Sequence, residues 1–130
     1  MNKAQEEKLD TALIEADTTQ WVTFRHKTLG TVKVPSWLSM DGHHVDEFSQ
    51  LWDETKLTEL TNAAGGKGNF IVRRWLYRAC LRWVKYCGEW NVSGFELDDL
   101  IQNVGDRDKE NAGLIMWLSK EFDKYSSDFF

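Results

Sequence analysis

The sequence predicts a mainly helical α+β domain, with four to five helices packed around a central helix at about 69–88 and a small N-terminal β-hairpin. Three observations carry this expectation. The stretch Asn69–Trp90, NFIVRRWLYRACLRWVKYCGEW, holds no Gly or Pro before Gly88 and no acidic residue before Glu89. Trp21–Lys27 and Thr31–Val34 are rich in β-branched and aromatic residues and flank a turn at Thr28-Leu29-Gly30. Most of the remaining chain spaces its apolar residues at helical intervals.

Taken in order, residues 3–16 form the first expected helix, with Leu9, Leu13 and Ala16 on one face. The hairpin follows. Pro35 has no N–H to give a ladder and should end its second strand. A lone hairpin is marginal in water, so Val22, Phe24, Val32 and Val34 are expected to face the helices. A helix from about Val45 toward Ala64 carries Val45, Phe48, Trp52 and Leu60 as its apolar positions. Gly65, Gly66 and Gly68 should terminate it, and Asn69 suits the N-cap of the central helix.

Downstream, Ser93-Gly-Phe-Glu96 has the spacing of a capping box opening a short helix through Phe95, Leu97, Leu100 and Ile101, which Gly105 stops. Asp106 or Asp108 is placed to cap the last helix, whose apolar set is Leu114, Ile115, Trp117, Leu118 and Phe122. No repeat or long linker divides the 130 residues, so one domain over 1–130 is expected, with termini free to fray. Seven Trp, seven Phe and three Tyr give that domain a large apolar load.

Cys80 and Cys87 lie seven residues apart on one helical face. At that spacing their Cα atoms stand about 10.5 Å apart, beyond the roughly 7 Å reach of a disulfide. They read as buried free thiols, which suits a reducing compartment. With no basic-then-apolar leader and no uninterrupted apolar span, a cytoplasmic protein without membrane contact is expected.

The charge layout is the most distinctive feature. Residues 1–64 carry −5, residues 65–88 carry +6 and residues 89–130 carry −6. On a helical wheel Arg74, Lys85, Arg78 and Arg82 fall within about 80° of one another, forming a single stripe. Val72, Leu76, Ala79, Cys80, Trp83 and Cys87 take the back. The stripe has two readings. It contacts phosphates or an acidic partner, or it pairs with the protein's own Asp98, Asp99, Asp53 or Glu54, the commoner fate of arginines on a half-buried helix.

Other motifs point to no catalytic residue, metal or cofactor. Gly66-Lys67-Gly68 lacks the Ser or Thr that holds magnesium in a phosphate loop, and it follows a helix instead of a strand. Asp41, His43, His44, Asp46 and Glu47 cluster in sequence, but adjacent histidines diverge on a helix or a strand. Thiols on an apolar face make poor nucleophiles. The last two helices resemble a helix-turn-helix, but a segment of −6 charge is ill suited to grip DNA.

The leading functional expectation is therefore a non-enzymatic protein–protein interaction module, an adaptor, assembly factor or inhibitor acting on an unidentified protein partner. Small inhibitors from mobile elements and toxin-neutralising proteins share this acidic, motif-poor character. The alternative is nucleic-acid binding through the basic stripe, joined by Lys67 and Arg73. The acidic-aromatic end, Ser126-Ser-Asp-Phe-Phe130, fits either a docking peptide or a segment folded onto the core.

Overall fold

A computed structural model describes residues 19–55, 68–103 and 105–128. The expected helix at 3–16, the glycine-rich connector through Lys67, and Phe129 and Phe130 lie outside them, as do the side chains of Trp52, Asp53 and Glu54. Among the described residues the architecture is mixed helix and sheet. Strands β1 (Trp21–His26) and β2 (Gly30–Pro35) are followed by a 3-10 turn at Trp37–Ser39 and helices α1 (Gly42–Thr55) and α2 (Gly68–Cys87). Strand β3 (Glu89–Val92) and helices α3 (Leu97–Gln102) and α4 (Ala112–Ser127) complete the order.

The hairpin forms where its alternation places it, with Val22 opposite Val34 and Phe24 opposite Val32. Phe24, Val32 and Val34 are buried, and Val22 packs partly against the same core. The turn is tied by His26, whose Nδ1 lies 3.2 Å from the amides of both Thr28 and Leu29. The same ring meets Trp117 of α4 edge-on at 5.3 Å. His26 is thus a turn-forming and packing residue.

Sequence reasoning missed β3. The chain leaves α2 at Gly88 and enters a strand with no linker, pairing antiparallel with β2 to give the order β1-β2-β3. A Cβ at Gly88 would stand 2.5 Å from the Lys33 carbonyl oxygen, so this abrupt passage needs glycine. Trp90 belongs to this strand, and its indole N–H donates to the Phe95 carbonyl at 2.9 Å.

Three expected caps are replaced. The Ser93 amide donates to Leu29 O at 2.8 Å, prolonging the β2–β3 pairing, so Ser93 is drawn away from the following helix. That helix begins at Leu97, with Glu96 in the N-cap position and no side-chain capping bond. Helix α4 starts after Asn111, because Asp108 is held by Arg74 and Asp106 lies further upstream. Helix α2 starts at Gly68, which puts Asn69 inside it.

Helix α1 begins at Gly42, about one turn earlier than the apolar pattern indicates, because Asp41 caps it. One Asp41 carboxylate oxygen accepts from the His43 amide at 3.0 Å and the His44 amide at 3.2 Å. Val45 is correspondingly half exposed, and Phe48 and Leu51 carry the buried side.

Helix α2 packs against α4, α3, α1, β2 and β3. Its buried arc is wider than the expected back face, since Trp75, Tyr77 and Leu81 are buried along with Leu76, Ala79, Cys80, Trp83 and Val84. Across the core, Leu114, Leu118 and Phe122 of α4 fill the opposite side. A polar tie runs through this apolar region. The Tyr125 hydroxyl donates to the Pro35 carbonyl at 2.6 Å and accepts from the Trp83 indole N–H at 3.0 Å, joining α4, β2 and α2. No helix among the described residues is long and apolar enough to cross a membrane.

Candidate interaction site on the second helix

From Trp75 to Tyr86, only Arg78, Arg82, Lys85 and Tyr86 are exposed. Their spacing of four, three and one residues puts them along one outward face of α2. Arg74, the first residue of the expected stripe, is half-buried. Its Nε lies 2.5 Å from Asp108 Oδ2, and its guanidinium sits against Gly105, so it fastens the α3–α4 connection to α2. Lys85 Nζ stands 2.7 Å from Asp98 Oδ1 at the start of α3, with both side chains largely in water. The internal pairing expected from the charge layout thus occurs at both ends of the stripe.

Of the carboxylates expected to meet the stripe, Asp98 does so, and Asp99 instead accepts from the Asn103 side-chain amide at 2.8 Å. Asp108 was expected as a cap, not as a partner for Arg74. Arg73 points to α4, its Nη1 3.9 Å from Asp123 Oδ2. Lys67 lies outside the described residues. Arg78 is exposed and forms no ion pair with the described residues.

Arg82 and Tyr86 open onto a cleft between α1 and α2, about 200 Å³ in volume and lined also by Glu47, Gln50, Leu51 and Trp83. The Trp83 and Tyr86 rings lie 5.7 Å apart. His44 packs beside both rings, meeting Tyr86 edge-on at 5.9 Å and Trp83 at 6.3 Å. The same His44 bonds Asp41 Oδ1 through Nδ1 at 2.9 Å. That bond, with the His44 backbone amide, holds the Asp41 carboxyl below its ordinary range.

The cleft has walls of opposite character. Arg82, with Arg78 one turn away, supplies cations from α2, whereas Glu47 supplies a carboxylate from α1. Partial burial, with the nearby Glu47, Asp41 and Asp46 charges, pushes the Tyr86 phenol above its ordinary value. Sequence reasoning missed Tyr86, although it stands four residues after Arg82 and so on the same side of the helix.

The thiols are sited as expected in part. Cys80 is fully buried, and burial raises its thiol well above the ordinary range. Cys87 is half-buried, pushed up to about 12 by the same cause, with its Sγ 3.4 Å from the Trp83 carbonyl. Thiols so disposed supply little thiolate at neutral pH. Among the described residues no three His, Cys, Asp or Glu side chains converge as a metal site. Compared with protein-family models, curated proteins and solved structures, the chain shows no match to any of them.

Proposed function

We propose that this protein is a non-enzymatic protein–protein interaction module, an adaptor, assembly factor or inhibitor organised around α2, and that it engages its partner through the α1–α2 cleft. The contact residues are Arg78, Arg82, Lys85 and Tyr86, with Glu47 on the opposite wall. The observation that carries this reading is the mixed character of the cleft. A phosphate backbone needs an extended run of unopposed cations, but here Arg74 and Lys85 already meet Asp108 and Asp98, and Glu47 lines the cleft beside Arg82. Arginine and tyrosine beside a small concavity, rimmed by both signs of charge, is the composition of a protein-binding hot spot.

The test is affinity capture from native-host lysate with the wild-type chain and with the R82A and Y86A variants, followed by titration of the recovered protein. A specific partner is expected, with its affinity falling on the order of thirtyfold or more in each variant. Capture unaffected by both substitutions overturns the assigned face. Nucleic-acid binding that weakens with salt at a slope near −0.9 per phosphate, and that R78A and R82A abolish, overturns the protein-partner reading in favour of the alternative.

A further inference from the structure

The outer edge of β1 is a second surface, on the sheet and separate from the α1–α2 cleft. The Ser36 amide donates to Gln20 O at 2.7 Å, one residue beyond the Trp21–Pro35 pair, so Gln20 and Ser36 form a hydrogen-bonded pair. Antiparallel ladders alternate bonded and non-bonded pairs. The bonded pairs of β1 and β2 are therefore Val22–Val34, Phe24–Val32 and His26–Gly30. By the same alternation Trp21, Thr23 and Arg25 turn their backbone N–H and C=O groups away from β2, to an edge that no other described strand covers. Their side chains share the face away from the core: Trp21 and Arg25 are exposed, and Thr23 is half-buried.

We propose that a second copy of this chain occupies this edge, β1 pairing antiparallel with β1 about a two-fold axis through Thr23. Symmetry and alternation select that register. An isologous two-fold contact places residue i opposite j and j opposite i. The only register in which all three outward-turned residues bond one another sets Trp21 opposite Arg25 of the second copy, Thr23 opposite Thr23, and Arg25 opposite Trp21. The outcome is about six inter-chain backbone hydrogen bonds and one continuous six-stranded sheet.

The side chains favour the same register. Each Arg25 guanidinium lies over the Trp21 ring of the other copy, a cation–π pair, and the two threonines form a favourable cross-strand pair. The two Arg25 residues end up about 14 Å apart along the ladder, beyond the roughly 10 Å over which salt leaves charges unscreened. The arginine that would discourage edge pairing in other registers here has a partner.

The full chain is examined by sedimentation equilibrium and light scattering over a wide concentration range. The expected result is a reversible shift from one to two chain masses. Thr23→Cys, in a Cys87→Ser background, should form a covalent dimer on mild oxidation. The Thr23 Cα atoms of the two copies stand about 5.5 Å apart in such a pair, within disulfide range. Arg25→Cys should not cross-link, since its two copies stand about 14 Å apart. Thr23→Pro deletes an outward N–H that β2 does not use, and should give a folded monomer by circular dichroism. If Thr23→Pro fails to fold, the Thr23→Cys and Arg25→Cys contrast decides alone. A monomer at every concentration, or equal cross-linking at positions 23 and 25, overturns the proposal. A monomeric chain that instead pairs this edge with a foreign acidic peptide overturns it equally.

Discussion

Replacing Tyr125 with Phe removes a single oxygen atom from the junction of α4, β2 and α2. The ring contacts survive, including the edge-on approach to Phe24 at 6.0 Å. Two hydrogen bonds do not: the one donated to Pro35 O at 2.6 Å and the one accepted from Trp83 Nε1 at 3.0 Å. Trp83 is 1% exposed and Tyr125 5%, so water cannot step in without opening the core. A buried polar group left without a partner costs about 1–3 kcal/mol. The stranded indole N–H bears that cost in full, and the carbonyl, with two lone pairs, bears less. The expected loss is about 2–4 kcal/mol, set against a total stability of about 5–15 kcal/mol for a domain of this kind.

Equilibrium urea unfolding, followed by tryptophan fluorescence, measures it as a fall of about 1–2 M in the midpoint at unchanged slope. A double-mutant cycle with W83F isolates the pairwise part, for which about 0.5–3 kcal/mol of coupling is expected. A Y125F loss below about 0.5 kcal/mol, or additive behaviour in the cycle, refutes the reasoning that this hydroxyl joins three elements.

Two further outcomes follow from burial and backbone geometry. Burial raises the thiols of Cys80 and Cys87 and the phenols of Tyr77 and Tyr125. The unfolded chain releases these protons near their ordinary values of 9.0 and 10.0, whereas the folded chain retains them. The stability they contribute is therefore complete below about pH 9 and is lost as pH climbs toward and through the raised values. The urea midpoint should decline steadily above that point, and a flat profile from about pH 8 to pH 11 would contradict the assignment. Gly30→Ala should cost about 3 kcal/mol or more, since a φ of 133° is strained for any L side chain and the new Cβ would run into the Asn91 carbonyl. A thermal melt unchanged by that substitution would mean that β2 and β3 can separate there.

What was legible in the sequence was local. The hairpin declared itself through the β-branched and aromatic residues of 21–27 and 31–34 around a Gly-containing turn, and Phe24, Val32 and Val34 are buried as expected. That Arg74, Arg78, Arg82 and Lys85 share one stripe of the helix followed from 100° per residue, but which of them reach solvent did not. What escaped depended on partners distant in sequence. Four residues, Glu89–Val92, are too few to show a period, and they become a strand because β2 stands ready to pair. The Ser93-x-x-Glu96 signal is a good local cap, yet the ladder bond to Leu29 takes Ser93 first. The start of α1 was readable in principle. Asp41 and His44 have capping-box spacing, with His replacing the usual Glu or Gln, and the substitution hid it.

The alternation of charge along the chain has a structural use that also limits its functional one. Arg74 meets Asp108, Lys85 meets Asp98, and Arg73 approaches Asp123, so cations of α2 reach the acidic segment that follows it at three places. Exposed pairs such as Lys85–Asp98 contribute about 0–1 kcal/mol each, far less than burying the aromatic core. Their effect is one of placement. An amphipathic helix as short as α3 can settle on α2 in more than one rotation, and Asp98 beneath Lys85 favours one of them, whereas a rotation bringing Leu97 to that cation would lose the pair. Each cation committed to placement is withdrawn from any extended phosphate-binding track. The proposed contact face is a short segment of α2, where Arg78, Arg82, Lys85 and Tyr86 are exposed near Glu47. A face that small and that mixed in sign gains more from matching a protein's shape and charge pattern than from neutralising a polyanion.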